Sequence, residues 1–247
     1  MITKNEWFEN WFDSKYYHIL YKNRSELEAH QFINQLINHL FLNSNEKVLD
    51  LGCGKGRHSK TLSEFFVALD GIDIAKGNIE LAKKNKSKNQ NFYLSDMRSF
   101  KMSGSYGYIF NLFTSFGYFD NLLDNIKVLQ NCNQHLKKNG LLIIDFLNAK
   151  KIKNSVKNNN HQEKKIINGI VFETEKYISN NYVFKNISIK DGDLELNFVE
   201  KVQLFELEDF NKMLKKTGFN EIIAFGDYQM SPYKPTSNRL ILSAKKI

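Results

Sequence analysis

The stretch Val48-Leu49-Asp50-Leu51-Gly52-Cys53-Gly54-Lys55-Gly56 decides how this chain folds. Val48, Leu49 and Leu51 form a short apolar run that reads as a buried strand, and glycines at the alternate positions 52, 54 and 56 end it. A backbone that turns sharply there and presses against a ligand has no room for Cβ atoms. Residues 58–66 follow with apolar side chains at helical spacing, Leu62, Phe65 and Phe66. Strand, glycine turn and helix together open an α/β nucleotide-binding unit, with loop amides and the helix amino terminus facing the ligand.

A dinucleotide fold places a small residue five positions after its first glycine and keeps an uncluttered anion site for the pyrophosphate. This chain has Arg57 at that position. It also has Asp50 at the strand end, where a carboxylate repels a diphosphate but accepts hydrogen bonds from an ammonium group. The preferred ligand is therefore an amino acid joined to a nucleoside. Here the sequence resembles the class I S-adenosylmethionine-dependent methyltransferases, whose Asp/Glu-x-Gly-x-Gly-x-Gly motif is matched by Asp50, Gly52, Gly54 and Gly56.

The downstream acids strengthen the resemblance. Residues 68–74 read as a second strand, and Asp73, 21 residues after Gly52, stands where an acid takes both ribose hydroxyls. Residues 91–96 read as a third strand ending in Asp96-Met97, where the family's acid contacts the adenine amino group. Taken singly, each acid also fits a helix cap or turn; in register with the glycines they outline one crevice. The resemblance implies S-adenosyl-L-methionine as donor and S-adenosyl-L-homocysteine as product. It implies donor contacts at Asp50, Gly52, Cys53, Gly54, Gly56, Asp73, Ile74, Asp96, Met97, Asn111 and Leu112.

Composition agrees. A chain of 247 residues, 42% hydrophobic with two prolines, suits one sizeable core plus an appendage. No apolar run approaches a membrane span and the first ten residues lack the features of a secretion signal, so the expected location is the cytoplasm. The two cysteines, Cys53 and Cys132, form no disulfide framework and no zinc spacing, and no metal is predicted. The formal charge of +8 is spread over a Lys/Asn-rich surface, as at Lys83-Lys84-Asn85-Lys86, and forms no basic stripe of the kind that binds nucleic acid.

The opening segment is aromatic: Trp7, Phe8, Trp11, Phe12, Tyr16, Tyr17 and Tyr21, followed by Arg24. No single period holds, which predicts a short helix, a break and a second short helix. Trp7, Phe8, Trp11 and Phe12 read as a cap packed on the sheet. Phenol hydroxyls and a guanidinium are costly to bury without partners, and in the family this region folds over the crevice, so Tyr17, Tyr21 and Arg24 are substrate-side candidates. Ser25 with Glu28 predicts a capping box at the start of a longer helix with Leu27, Phe32, Ile33, Leu36, Ile37, Leu40 and Phe41 inward.

The fourth strand, 106–110, runs into Asn111-Leu-Phe-Thr-Ser-Phe-Gly-Tyr118. Methyltransferases of adenine or glutamine carry Asn/Asp-Pro-Pro-aromatic there; this chain has no proline in that stretch. Thr114, Ser115 and Gly117 instead resemble the hydroxyl-rich segment of small-molecule methyltransferases, although Thr114 and Ser115 equally fit a helix cap. A helix over 120–138 closed by Gly140, a strand over 141–146 leading to Asn148, and a linker over 149–160 are predicted next. Strand-like runs at 170–178, 182–190 and 194–205, separated by Asn180-Asn181 and Asp191-Gly192, predict antiparallel hairpins. A helix over 207–217, a strand around 220–225 and a strand over 239–244 return to the core.

The expected fold is α/β: a Rossmann-like seven-stranded methyltransferase sheet, mostly parallel with a C-terminal antiparallel hairpin, plus a small antiparallel insert. Residues 1–24 form an aromatic cap, 25–149 and 206–247 the core, and 150–205 the insert, as in enzymes resembling the glycine and amino-sugar N-methyltransferases. The acceptor expected is a small molecule methylated on nitrogen or oxygen by in-line displacement, with Tyr118 and Asn148 joining the substrate-side candidates. A neutral amine needs no base; an oxygen acceptor does, and Tyr17, His58 and Thr114 are the candidate catalytic positions. Non-catalytic binding of S-adenosylmethionine, an NAD-linked dehydrogenase and a nucleic-acid or protein methyltransferase remain as alternatives at this level. Oligomeric state is not legible.

Overall fold

A computed structural model describes residues 6–22, 26–158 and 161–247. The expected seven-stranded sheet is present, with strand order β10-β11-β5-β4-β1-β2-β3. Its strands are β1 (Lys47–Leu51), β2 (Ala68–Asp73), β3 (Gln90–Leu94), β4 (Tyr106–Asn111), β5 (Leu136–Leu147), β10 (Phe219–Phe225) and β11 (Arg239–Lys246). The five from β5 to β3 run parallel; β11 lies antiparallel between β5 and β10. Both faces are covered, so the strands alternate between two cores. Val48 and Ile143 pack with α3 (Glu26–His39), α4 (Arg57–Phe65) and α5 (Lys76–Lys84). Leu49, Leu51, Leu142 and Ile144 face the other way, towards α6 (Leu122–His135) and α8 (Leu207–Lys216).

The second sheet has four strands, not three: β6 (His161–Ile167), β7 (Ile170–Ser179), β8 (Tyr182–Asp191) and β9 (Leu194–Gln203), all antiparallel. Asn180 and Asn181 both adopt positive φ, +48° and +62°, as a two-residue hairpin turn needs. Asn168-Gly169 repeats this at +53° and +81° and forms the turn between β6 and β7. The β6 strand escaped sequence reading because it is an edge strand whose first five residues, His161 to Lys165, are all polar or charged, so no apolar alternation shows.

Two other expectations change. The segment from 149 is not a linker: Ala149–Asn158 is helix α7, started by Asn148, whose Oδ1 accepts from the amides of Lys150 and Lys151. Helix α6 ends at His135, before Gly140. Gly140 sits inside β5, where an added Cβ would meet the Gly107 carbonyl oxygen at 2.8 Å, so its role is close strand approach and not helix capping. In α3, Phe32, Ile33 and Leu36 are buried as expected, but Leu27 is exposed, as is Phe41 beyond the end of the helix. The predicted capping residue Ser25 lies outside the described residues.

The amino-terminal segment forms α1 (Trp7–Phe12) and α2 (Lys15–Leu20), broken at Asp13-Ser14. Trp11, Tyr16 and Leu20 are buried against Ile170, Phe172, Ile187 and Ile189 of the insert. Asp13 Oδ1 accepts from the Gly77 amide at the start of α5 (2.8 Å), and Tyr16 Oη donates to Asp191 (2.9 Å). The cap is thus stitched to the main sheet on one side and to the insert on the other. Among the described residues no helix is long and apolar enough to cross a membrane.

Candidate active site

Strand order reverses between β1 and β4, so their carboxyl ends diverge and leave a crevice. Asn111 ties the two ends together: its Nδ2 donates to the Leu51 carbonyl (2.9 Å). Beyond Leu51 the chain curls back onto β2, with the amides of Gly52 and Cys53 both donating to the Ile72 carbonyl (2.9 and 3.0 Å). Gly52, Gly54 and Gly56 adopt φ of +79°, +55° and +86°, a region L-residues avoid. Their surroundings differ. A Cβ on Gly52 would meet Ser115 Cβ at 2.8 Å and one on Gly56 would meet Phe92 Cζ at 3.2 Å, whereas one on Gly54 would have nothing within 4 Å. The first and third glycines serve packing, and the middle one leaves a cradle open.

That cradle belongs to a cavity of about 370 Å³. Of the expected donor contacts, Gly52, Cys53, Gly54, Asp73, Ile74, Asp96, Met97 and Leu112 line it; so do Tyr17, Tyr21, His58 and Tyr118. Asp73 caps the floor: Oδ2 accepts from the Gly54 amide (2.9 Å) and Oδ1 from the Ala75 amide (2.8 Å). Burial raises its carboxyl above the ordinary value, against the pull of those amides. Asp96 is held by Arg98, whose Nε lies 2.9 Å from Oδ2, and Arg98 also reaches Glu6 of the cap at 2.7 Å. The cap and the end of β3 are therefore joined through one guanidinium. His18 lies in the same wall, and burial, then the nearby Lys55, push its imidazole down to about 4.

Asp50 is a correction. It lines neither cavity: 1% exposed, it points under α4, where its Oδ2 accepts from Ser59 Oγ at 2.5 Å. The cause is strand alternation, since Asp50 shares the Val48 face while Leu49 and Leu51 occupy the other. Direct contact with a ligand ammonium is thereby replaced by a buried acid behind the glycine turn. Burial, opposed by the Ser59 bond and aided by the charge of Asp73, pushes its carboxyl up to about 7. A carboxyl raised in the fold stabilises it most below the unfolded value of about 4 and loses that contribution as pH rises through 7. Asp50→Asn is therefore expected to gain thermal stability over the wild type progressively from pH 4 to pH 8. A melting-temperature difference independent of pH contradicts the buried-acid assignment.

Asn111 and Asn148 are corrected in the same way. Asn111 is buried behind the crevice, with its next neighbour Leu112 on the wall. Asn148 faces neither cavity; its Nδ2 donates to the carbonyls of Pro235 (3.0 Å) and Ser237 (2.8 Å), and its Oδ1 caps α7. It pins the 234–238 loop. Gly56 lies off the cavity lining too, at the helix start. Arg24 lies outside the described residues.

A second chamber of about 390 Å³ adjoins the first, and the two share Phe12, Tyr17, Tyr21, Phe113 and Tyr118 as walls. Thr114 is on its surface, but the Oγ1 accepts from Arg239 (2.9 Å) and the carbonyl from Tyr118 Oη, so its hydroxyl positions a wall. Phe113 and Thr114 are consecutive non-glycine residues at φ +60° and +62°, a costly conformation for a β-branched residue. Asp145 holds it: its Oδ2 accepts from the Phe113 amide (2.9 Å), its carbonyl from the Thr114 amide (2.8 Å), and its Oδ1 from Arg239 Nε (2.7 Å). Arg239, Lys185 and Glu200 on these walls were missed in sequence because they sit in strands far along the chain. Ile152 and Val156, four residues apart on α7, were missed with the helix itself, since 149–160 reads as a linker in sequence.

The fold with a switch-point crevice, an open glycine cradle and an adjoining chamber defines an α/β enzyme that brings a nucleoside-type ligand beside a second small ligand. The chain belongs to the methyltransferase domain family, whose model matches residues 24–223. It is 26% identical over 205 residues to the malonyl-[acyl-carrier protein] O-methyltransferase of Bacillus anthracis, covering 80% of this chain and 74% of that protein. Its fold matches the S-adenosylmethionine-dependent methyltransferase of Clostridium acetobutylicum ATCC 824, with TM-score 0.80, 20% identity and coverage of 96% and 98%. It also matches the sugar N-methyltransferase KedS8 of Streptoalloteichus sp. ATCC 53650, with TM-score 0.75, 16% identity and coverage of 93% and 92%.

Proposed function

We propose that this enzyme moves a methyl group from S-adenosyl-L-methionine to a nitrogen or oxygen of a small-molecule acceptor by in-line displacement. The observation that carries the reading is the junction: a glycine-floored cavity and a second chamber meet at one aromatic wall, as a donor and an acceptor approaching along a line require. The donor supplies an already activated methyl group, so the chain's contribution is alignment, which is worth on the order of 7–11 kcal/mol in well-oriented reactions. Gly54 leaves room for the donor, Asp73 offers carboxylate oxygens to ribose hydroxyls, and Asp96 and Met97 border the adenine. Arg57 and Lys55 of the cavity lining bring positive charge to the donor's carboxylate.

The acceptor chamber is walled by the cap, α7 and the insert, which suits a small molecule better than a polymer. Relatives are named for both O- and N-methylation, and the site fits either. His58 is disfavoured as the base for an oxygen acceptor, because its Nε2 accepts from Arg57 at 2.9 Å. Incubation with donor and a metabolite panel, followed by mass spectrometry, is expected to reveal S-adenosylhomocysteine formed in step with one methylated product. Tight donor binding with no turnover of any acceptor would instead favour a non-catalytic binder.

A further inference from the structure

Across β7, β8 and β9 the face of the insert sheet that lines the second chamber carries one charged row. Register places Lys176 of β7 opposite Lys185 of β8, and Lys185 opposite Glu200 of β9. The rows two residues to either side are Thr174-Ile187-Phe198 and Ile178-Val183-Val202, and their apolar members pack against the cores. All three charged residues line the second chamber. Folding gains from Glu200 in this row, which takes bonds from the cap, but not from the pairing of Lys176 with Lys185. Two lysines directly opposite repel each other, and the flanking rows show that apolar side chains are accommodated there.

Internal pairing accounts for only part of the charge. Glu200 Oε1 accepts from Trp11 Nε1 (2.8 Å) and Tyr21 Oη (2.6 Å), and Lys185 Nζ donates to Tyr21 Oη (2.8 Å). Arg239, across the chamber, is matched from behind by Asp145. Among the described residues no carboxylate lies within 4.0 Å of Lys176 Nζ. Glu163 of β6, on the same sheet face, is paired with Lys165 (2.9 Å) and lies off the chamber lining. Among the described lining residues two lysines therefore share the one carboxylate of Glu200, and the excess is positive.

We infer that the acceptor carries an anionic group, a carboxylate or a phosphate, which Lys176 and Lys185 receive. Held at that end, the acceptor presents its nucleophilic nitrogen or oxygen to the aromatic junction with the donor cavity. The inference rests on the methyltransferase reading and specifies the chemistry of its second ligand.

Calorimetry on the full chain saturated with S-adenosylhomocysteine tests it, with succinate and inorganic phosphate as separate probes. At least one probe is expected to bind the wild type, and the stronger of the two identifies the anion class. Lys176→Gln and Lys185→Gln are each expected to weaken that probe by about tenfold or more, as the loss of a hydrogen bond to a charged group implies. S-adenosylhomocysteine affinity should stay unchanged, as should the probe affinity of Lys212→Gln on α8. Lys176 is exposed, so its substitution leaves folding intact even if that of Lys185 does not. Absence of binding by both probes, or binding indifferent to Lys176→Gln, overturns the inference. Failure of the wild type to bind S-adenosylhomocysteine at all counts against the donor reading instead.

Discussion

Gly54→Val is expected to abolish binding of S-adenosylhomocysteine, lowering affinity by about a hundredfold or more while the chain still folds, since a few kcal/mol of lost contact has that effect. The asymmetry follows from where the new atoms go. Gly54 has φ +55°, and a Cβ there meets no protein atom within 4 Å, so the isopropyl group enters the cradle rather than the core. The backbone penalty is roughly 1–2 kcal/mol for an L-residue held in the left-handed region. Gly52→Ala makes the contrast: its Cβ would meet Ser115 Cβ at 2.8 Å, so its damage should appear as instability. Calorimetric titration alongside thermal unfolding separates the two, and normal affinity in Gly54→Val would mean that the ligand does not lie over the glycine bend.

Asp145→Ala is expected to cost about 3 kcal/mol or more in urea unfolding, within the range for removing one partner of a buried ion pair. Asp145 is fully buried while the Arg239 side chain is 20% exposed, so the orphaned guanidinium recovers part of its solvation and the low end of that range applies. The same carboxylate holds the Phe113 amide, and with it the strained wall between the two chambers. Phe113 lines both cavities, so donor affinity and turnover should both fall as the wall relaxes. Asp145→Asn, which keeps an acceptor for the Phe113 amide, should retain more activity than the alanine variant. Asp145→Leu combined with Arg239→Met should recover stability without activity, since a packed apolar pair can replace a buried ion pair. A loss below about 1 kcal/mol in Asp145→Ala, the scale of an exposed ion pair, would show the pair to be a surface contact.

The donor half of the site was legible because it is local. Gly52, Gly54 and Gly56 are constrained by their own backbone angles, and Asp73 and Asp96 follow strands whose apolar runs mark their ends. Strand alternation was equally available at Asp50, yet side-chain direction depends on which face of the sheet α4 covers. Of the acceptor half only the aromatic wall of Tyr17, Tyr21 and Tyr118 was legible; its charged groups were not. Tyr21, Lys185 and Glu200 meet across separations of 164 and 179 residues, and no local period encodes such a meeting. Asn148 looked like a crevice residue because it ends a strand; its amide is occupied by the 234–238 loop, which lies elsewhere in the chain.

By itself the amino-acid sequence determined the sheet, the glycine bend, two of the three hairpins of the insert and the family of the enzyme, since each is written in short-range pattern and backbone preference. The tertiary structure alone decided that the aromatic cap packs against the insert, that a second chamber shares its wall with the first, and that Asp145 and Arg239 hold that wall in place. Those features arise from pairing between distant strands, where burial and charge compensation are set by neighbours that only folding brings together.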